Sequence, residues 1–478
     1  MTPVFRVLGG VFLGLAVFMA PPLLYDLSAG AATAAYFVFT MVATIFTGAT
    51  LLALSASSEP FDLTRRQAFL TTGLAWILAP AIGAIPLLGL GVSYVDAYFE
   101  AVSGVTTTGS TVLTGLDDMP QGILLWRSLL QWIGGIGFIG LGIIVMPFLR
   151  VGGMQLFQTE SSDTSEKILA KSIEITRWIA VIYFGLTAAA AIAYGVAGMS
   201  PFDAVNHAMT TLATGGYSTH DASFGYFRSP AIEWIGVVFM VGGALPFVAY
   251  IRTLRGRTWA LFTDVQVRAF LAYLFAAWSI VAVTHSTVNH VPFFDAFRMA
   301  AFTATSIITT TGYASTDYQL WGPFAFGAVF LFTFTGGCSG STTGGIKIYR
   351  FQILARLAHA HLTRLLSPSQ VKVVTYSTRR VDSEIAIAIQ TFIGAVLISE
   401  LAVSIVLTWF GIDLLTALTA AATAISNVGP GLGPIIGPAG NFASLPDGAK
   451  IALTAAMILG RLEYFTLLVM LTPAFWRD

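Results

Sequence analysis

The chain has 478 residues, of which 56% are hydrophobic and 10% charged, and its 24 basic residues balance 24 acidic ones. Soluble domains carry about 25% charged residues, so this composition excludes a soluble globular protein and indicates several membrane spans. A single cysteine, Cys338, excludes a disulfide framework and a cysteine-based metal cluster. The zero net charge gives no reason to expect nucleic acid as a partner.

Ten apolar stretches are long enough to cross about 30 Å of hydrocarbon. Ten spans place both termini on the same side of the membrane. The first stretch is too long for the apolar part of a signal peptide and is followed directly by another, so it is predicted to be a retained helix. The stretches cover residues 7–25, 32–55, 69–91, 122–149, 177–199, 231–251, 269–284, 322–349, 385–411 and 449–473.

Charged residues are distributed unequally over this topology. Segments on the side of the termini hold 19 basic and 10 acidic residues, a balance of +9, whereas the opposite segments hold 4 basic and 12 acidic residues, a balance of −8. Short cytoplasmic loops are enriched in Lys and Arg, so both termini are predicted to be cytoplasmic. Glu400, Arg461 and Glu463 remain inside predicted spans.

Four outer segments, between spans 3 and 4, 5 and 6, 7 and 8, and 9 and 10, share one design. Each reads as an Asp N-cap, a short helix, a Thr- or Ser-rich stretch and a glycine. The glycine follows Asp96, Asp203, Asp295 and Asp413 by 13, 13, 17 and 16 residues. The longer offsets of the third and fourth copies correspond to about one extra helical turn.

Such a segment can bind a cation. Helix C-termini carry partial negative charge, backbone carbonyls and Thr hydroxyls can replace a hydration shell, and glycine allows the required backbone conformation. One copy could be an ordinary extracellular turn, but four copies at matched positions indicate a selectivity filter. The predicted ion-binding residues are Thr107, Thr108, Gly109, Thr214, Gly215, Gly216, Thr310, Thr311, Gly312, Asn427, Val428 and Gly429.

Span 8 contains five glycines between positions 336 and 345. Because each costs a helix about 1 kcal/mol relative to Ala, we predict an intramembrane loop beneath the third filter. Close helix packing through small residues is the alternative, and a phosphate-binding loop is rejected because the required Lys-Ser/Thr ending is missing. The predicted gate residues are Gly336, Gly337, Ser339, Gly340, Ser341, Thr342, Thr343, Gly344 and Gly345.

Arg461 lies in the last predicted span. An intramembrane charge is costly and is treated as functional by default, and a fixed positive charge below a filter opposes cation passage. We therefore predict that Arg461 belongs to the gate. A static ion pair with Glu400 is the alternative.

These motifs resemble the Trk/Ktr/HKT superfamily, in which one polypeptide holds four membrane-pore-membrane repeats, and more closely its bacterial Trk branch (TrkH type). The resemblance covers almost the whole chain and includes two extra N-terminal spans. It implies an all-α polytopic fold with pseudo-fourfold repeats around a central ion pore. The motifs lie at 106–111, 215–221, 336–347, 427–433 and 460–463.

The resemblance implies potassium uptake across the bacterial cytoplasmic membrane by a homodimer. It also implies a role in gating for Arg461 and the glycine-rich loop, under a cytosolic TrkA-type regulatory subunit that binds ATP/ADP or NAD(H). No cofactor is expected in the chain itself, and potassium is the only metal expected. Each filter has one key glycine instead of the TVGYG of tetrameric potassium channels, so modest selectivity over sodium is predicted.

The predicted domains are a two-helix N-terminal unit followed by four repeats. The basic loops 150–177, 252–268 and 347–380 fit either docking of the regulator or contact with anionic membrane lipids. Sodium- or proton-coupled symport remains an alternative, and an intramembrane lipid-processing enzyme is remote because no catalytic cluster is evident. The predicted boundaries are 1–66, 67–175, 176–267, 268–380 and 381–478.

Overall fold

The structure, a computed structural model, describes residues 2–56, 63–145, 165–367, 369, 373–377 and 379–477. Helices dominate, and the two short strand pairs are local features. Most of the predicted basic loop 150–177 lies outside the described residues. The helices of the first half are α1 (Thr2–Ala29), α2 (Thr33–Leu54), α3 (Arg65–Gly83), α4 (Tyr94–Val105), α5 (Gln121–Val145), α6 (Ser165–Val196), α7 (Pro201–Leu212), α8 (Pro230–Ala244), α9 (Phe247–Leu254) and α10 (Ala260–Thr263).

The second half continues the same alternation of long and short helices. Parallel strands β1 (Thr335–Gly336) and β2 (Ile346–Lys347) close the glycine-rich loop, and antiparallel strands β3 (Thr375–Tyr376) and β4 (Arg379–Arg380) form a hairpin. The helices are α11 (Val265–Asn289), α12 (Phe293–Ile308), α13 (Pro323–Thr333), α14 (Ile348–Leu366), α15 (Ser383–Trp409), α16 (Leu414–Ser426), α17 (Asp447–Arg461), α18 (Phe465–Met470) and α19 (Pro473–Trp476).

The N-terminal helices α1 and α2 pack against each other and against the first repeat. Asp26, buried near the end of α1, accepts a hydrogen bond from the Thr33 hydroxyl and another, of 2.8 Å, from the Gly122 backbone N–H. An unpartnered buried carboxylate would be costly, so these two bonds fix the α1–α2 turn against the start of α5.

Four short helices, α4, α7, α12 and α16, are the pore helices of the four repeats. Each packs between the two helices that flank it in its own repeat. Each also contacts the second helix of the preceding repeat, α4 against α17, α7 against α5, α12 against α8 and α16 against α13. Because the contact between the fourth and first repeats completes the series, the four repeats enclose one axis.

Seven helices in the described part of the chain are long and apolar enough to cross a membrane, or eight if the bent pair α8–α9 is one span. The prediction of an interrupted span 8 is confirmed, because α13 ends at Thr333 and α14 begins at Ile348. The predicted spans 231–251 and 449–473 are each broken in the structure. α8 and α9 meet at 92°, and α17 ends at Arg461.

Proline explains one break. Pro246 has no backbone N–H and disfavours helical conformation at Leu245, whose ψ is 156°. The break after α17 places Glu463 and Tyr464 at φ of 52° and 62°, conformations that the sequence gives no reason to expect at these residues.

The predicted Asp N-cap holds for one pore helix of the four. Asp413 caps α16 by accepting from the Thr416 N–H at 3.0 Å. Ser93 and Ser200 cap α4 and α7, and Pro292 precedes α12 without a side-chain cap. The aspartates of these three repeats lie instead in the first helical turn, where a negative charge also favours the helix dipole.

This difference explains the spacing to the glycine. The aspartate of repeat 4 precedes α16, whereas those of the other repeats lie inside the first turn. α16 has 13 residues, close to the 12 of α4 and α7. Only α12, with 16 residues, is longer by about one turn.

Candidate functional site

The segment that follows each pore helix has the same backbone conformation in all four repeats. A residue with φ between 52° and 57° is followed by one intervening residue and then by a glycine with φ between 76° and 112°. The intervening residues are Thr108, Gly215, Thr311 and Val428. The positive-φ pairs are Thr107 and Gly109, Thr214 and Gly216, Thr310 and Gly312, and Asn427 and Gly429.

Three of the positive-φ residues, Thr107, Thr214 and Thr310, are β-branched. A β-branched residue in this region is an outlier that costs roughly 1–3 kcal/mol and persists only where the surroundings enforce it. The fourth position is Asn427, a residue that tolerates the conformation better. The same conformation in four repeats, strained in three of them, indicates a functional backbone geometry.

The four glycines form a closed ring of backbone contacts. A Cβ atom added to any of them would come within 3.0 Å of the carbonyl oxygen of the intervening residue in the next repeat. Gly109 faces the Gly215 oxygen, Gly216 faces Thr311, Gly312 faces Val428, and Gly429 faces Thr108. The twelve predicted filter residues therefore lie together around the axis that the repeats enclose.

Several oxygens at this ring have no protein partner. Among the described residues, no hydrogen bond reaches the main-chain oxygens of Thr107, Thr214, Thr310 and Asn427, which are 0% exposed. The Thr107 hydroxyl and the Asn427 side-chain oxygen are also unpaired in this part of the chain. Buried carbonyls are nearly always paired, so these four matched exceptions among the described residues require an explanation.

Hydrogen bonds between repeats hold the ring together. Asn427 Nδ2 donates to the Thr108 hydroxyl at 2.9 Å, and the Ser110 hydroxyl donates to the Gly429 oxygen at 2.8 Å, which joins repeats 4 and 1. Gln131 joins repeats 1 and 2, since its side chain donates to the Gly215 oxygen at 2.6 Å. These bonds fix the spacing of adjacent filter segments.

Two tyrosines reach back from one repeat to the pore helix of the preceding one. The Tyr217 hydroxyl donates to the main-chain oxygen of Glu100 at 2.7 Å, and the Tyr313 hydroxyl donates to the main-chain oxygen of His207 at 3.2 Å. Glu100 and His207 occupy equivalent positions, nine residues before Gly109 and Gly216. His207 Nε2 also lies within hydrogen-bonding distance, 2.9 Å, of the Ser218 hydroxyl.

The glycine-rich loop lies below the filter segments, in the break between α8 and α9. The Cys338 N–H donates to the Ala244 oxygen at 3.0 Å, and the Phe247 N–H donates to the Gly340 oxygen at 2.9 Å. The predicted loop 336–345 therefore packs into the break between α8 and α9, which the sequence analysis did not predict. Pro246 was the one signal in the sequence for this break.

Contacts from the loop reach the filter segments of three repeats. The Gly344 N–H donates to the Thr310 hydroxyl at 2.7 Å. The Thr214 hydroxyl donates to the Thr342 hydroxyl at 3.2 Å, and a Cβ at Gly344 would lie 2.9 Å from the Cβ of Asn427. The loop is therefore beneath the third filter, as predicted, and also touches the second and fourth.

Arg461 contacts the same loop. Its Nη1 donates to the Thr342 oxygen at 2.9 Å, and its Cζ lies 4.2 Å from the centre of the Phe138 ring. Within the described residues its Nε and Nη2 have no hydrogen-bond partner, and no ion pair joins it to Glu400. Glu463 pairs instead with Arg350, at 2.6 Å. The static Glu400 pair is therefore not the arrangement in this structure.

At the outer surface, His220 joins the loops of repeats 1 and 2. Its Nδ1 lies 2.5 Å from an Asp117 oxygen and its Nε2 lies 3.4 Å from an Asp203 oxygen. Burial alone lowers the pKa of His220, but the two carboxylates raise it above its usual value. The hydrogen bond from His220 in turn lowers the pKa of Asp117.

The fold and the site together define a class. A membrane protein whose four re-entrant helices converge on a ring of buried oxygens is a cation transport protein. The TrkH family model, described as cation transport protein, matches residues 33–477. The chain belongs to this family, as the sequence motifs predicted. Because the family consists of transporters, the hypothesis of an intramembrane enzyme is wrong.

Individual relatives extend over the whole chain. Trk system potassium uptake protein TrkI of Halomonas elongata is 46% identical over 481 residues, covering 100% of this chain and 97% of the relative. Trk system potassium uptake protein TrkH of Escherichia coli is 36% identical over 88% of each chain. The crystal structure of the potassium transporter TrkH from Vibrio parahaemolyticus matches with a TM-score of 0.91 at 33% identity, covering 100% of this chain and 99% of that one.

Proposed function

We propose that this chain takes up potassium across the bacterial cytoplasmic membrane through the axis of its four repeats. The observation that carries the proposal is the closed ring of glycines, together with the four unpaired carbonyl oxygens beside it. Backbone oxygens replace the hydration shell of potassium in known filters. The names of the relatives, which are potassium uptake proteins, support the choice of ion.

The twelve filter residues supply backbone oxygens, and the Thr107 hydroxyl and Asn427 amide oxygen are further candidate ligands. The four segments differ in sequence, and each has one key glycine. A ring built from unequal segments holds the ion less uniformly than four identical segments. Selectivity for potassium over sodium is therefore modest in this proposal.

The loop 336–345 and Arg461 form the gate in this proposal. The loop lies under three filter segments, and Arg461 adds a positive charge in contact with it. A cation that leaves the filter meets both. Movement of the loop either carries the guanidinium with it or breaks the hydrogen bond from Arg461 to the Thr342 carbonyl.

Further proposals rest on the resemblance to the Trk branch. The protein acts as a homodimer with both termini in the cytoplasm, and a cytosolic TrkA-type subunit that binds ATP/ADP or NAD(H) controls the gate. The basic segments 252–268 and 347–380 are candidate docking surfaces for that subunit. Coupling of potassium to sodium or protons is the second candidate, and it predicts that flux stops when neither gradient is present.

The experiment is rubidium flux, with sodium competition, into liposomes that contain the purified full-length chain. Gly312→Ser adds a side chain at φ 85° and against the Val428 oxygen, so flux or discrimination should fall. Gly185→Ser is the matched control, because a Cβ at Gly185 in α6 meets nothing within 4 Å. If both variants behave like wild type, the filter assignment is wrong.

A further inference from the structure

A buried ion pair lies directly behind the filter segments of repeats 1 and 2. Arg127 of α5 and Glu100 of pore helix α4 are each about 1% exposed, and Arg127 Nε lies 2.9 Å from Glu100 Oε1. Taking two charges out of water costs several kcal/mol per ion unless good geometry and further hydrogen bonds compensate. The pair therefore requires an explanation from its surroundings.

Both partners are fully engaged. The Glu100 carboxylate accepts hydrogen bonds from the Thr111 hydroxyl at 3.0 Å and from the Val112 N–H at 2.9 Å. These two residues follow the filter glycine of repeat 1. Arg127 Nη2 also donates to the Thr111 hydroxyl, at 3.3 Å. Glu100 thus ties the pore helix to the outgoing end of the first filter segment.

Arg127 extends this tie to the second repeat. Its Nη1 donates to the Ser218 oxygen at 3.0 Å, and its guanidinium carbon lies 4.1 Å from the centre of the Tyr217 ring. Tyr217 directly follows Gly216 in the second filter segment. One guanidinium therefore holds two adjacent filter segments at a fixed separation, since its planar fork donates in set directions.

The network is confined to one side of the ring. His207, the equivalent of Glu100 in repeat 2, bonds to Ser218 in the same way that Glu100 bonds to Thr111. The equivalent positions in repeats 3 and 4 are Thr303 and Ala420, and neither carries a charge. Within the described residues, the first and second segments are therefore held by a charged network that has no counterpart at these positions of the third and fourth repeats.

We propose that Arg127 and Glu100 are positioning residues that set the separation of the first and second filter segments and, through it, the preference for potassium over sodium. The inference rests on the proposed function of the ring. Selectivity depends on how many oxygens the filter offers and how freely they move. Loosening one pair of adjacent segments lets their oxygens approach a smaller ion, so sodium gains more than potassium.

The test compares initial rubidium and sodium fluxes through the full-length chain in liposomes. Glu100→Gln keeps the shape but removes the charge, Arg127→Lys keeps the charge but cannot reach both repeats, and Glu100→Gln with Arg127→Gln leaves no isolated buried charge. We expect each to lower the rubidium-to-sodium flux ratio by about five-fold, the effect of a coupling of ~1 kcal/mol between contacting residues. The flux ratio of the double variant should fall by about as much as that of either single variant, because all three remove the same interaction.

The control is Arg298→Gln combined with Glu233→Gln. This ion pair also joins two repeats, through α12 and α8, but in the described part of the chain its members bond to none of the filter segments. We expect an unchanged flux ratio. The loss of thermal stability should be smaller than in the other double variant, because the Arg298 and Glu233 side chains are 17% and 9% exposed, against 1% for Arg127 and Glu100.

Three outcomes separate the hypotheses. If the Glu100 and Arg127 variants lose thermal stability but keep the wild-type flux ratio, the pair is only structural and the inference is wrong. A flux ratio that falls equally in the Arg298 control also overturns it. If Gly312→Ser leaves wild-type flux and discrimination intact, the proposed filter itself fails, whatever the Arg127 variants do.

Discussion

Removal of the Arg461 guanidinium is predicted to raise cation leak. The side chain is buried, donates to the Thr342 oxygen at 2.9 Å and lies over the Phe138 ring. Arg461→Ala removes a positive charge from the proposed path and frees the loop from α17. Both changes favour passage of a cation that has left the filter.

The charge accounts for most of the expected effect. Two unit charges about 4–6 Å apart repel by about 3–4 kcal/mol at an effective dielectric constant of about 20. Since each 1.36 kcal/mol is tenfold in rate, the upper bound for the increase in leak is about 10²- to 10³-fold. Solvent that enters the cavity left by the side chain lowers this figure.

Two further variants separate the charge from the hydrogen bond. Arg461→Lys keeps the charge and should leave leak near the wild-type level. Arg461→Gln keeps a donor for the Thr342 oxygen but loses the charge, so it should leak nearly as much as Arg461→Ala. The assay is rubidium uptake by liposomes in the absence of any regulatory protein, normalised to the amount of folded transporter.

The result that refutes the reasoning is an Arg461→Ala leak equal to wild type. A leak in Arg461→Ala together with wild-type behaviour of Arg461→Gln would assign the effect to the Thr342 hydrogen bond alone. The electrostatic part of the gate would then be wrong.

Other predictions concern the ring, the outer loops and a helix cap. Gly109→Ala should reduce flux far more than Gly115→Ala in the same assay, because both glycines have positive φ but only Gly109 faces a carbonyl oxygen. If the two variants reduce flux equally, backbone strain alone explains the effect and the close contacts of the ring do not matter. The raised pKa of His220 contributes stability that is lost as pH rises through it, and the lowered pKa of Asp117 contributes stability that is lost as pH falls through it. After correction for the pH dependence of intrinsic exchange, the hydrogen-exchange protection factors of residues 113–120 should therefore be highest between these two pKa values, and His220→Gln should remove this maximum; wild-type protection factors that do not change with pH would contradict this. Asp413→Ala should destabilise the start of α16 by about 1 kcal/mol, which should appear as a lower melting temperature in detergent. An unchanged melting temperature would mean that packing alone determines where α16 begins.

Several features of the protein follow from the sequence alone. Its low charge content requires a membrane, and a repeat of Asp, short helix, Thr/Ser and glycine predicts four filter segments. The five glycines of the 336–345 loop predict an interrupted span. These signals are local in the chain, so composition, spacing and backbone preference are sufficient to find them.

Other features depend on contacts between distant parts of the chain. The breaks at Leu245 and after Arg461 provide the space for the loop and bring Arg461 to Thr342. Only the structure identifies the N-cap of each pore helix. Ser and Asp are both good capping residues, so the sequence does not show at which position the helix begins. The caps are Ser93 in repeat 1 and Asp413 in repeat 4.

The feature that the sequence predicted least is the set of side chains packed behind the ring. Arg127 and Glu100 count as two ordinary outer charges in the sequence, yet the fold buries them against each other and against Ser218 of the next repeat. Glu100 lies 27 positions before Arg127 in the chain, and Ser218 lies 91 positions after it. The sequence by itself therefore determined which segments are candidates for the filter, and only the tertiary structure decided which side chains hold them in place, because that depends on which repeats become neighbours.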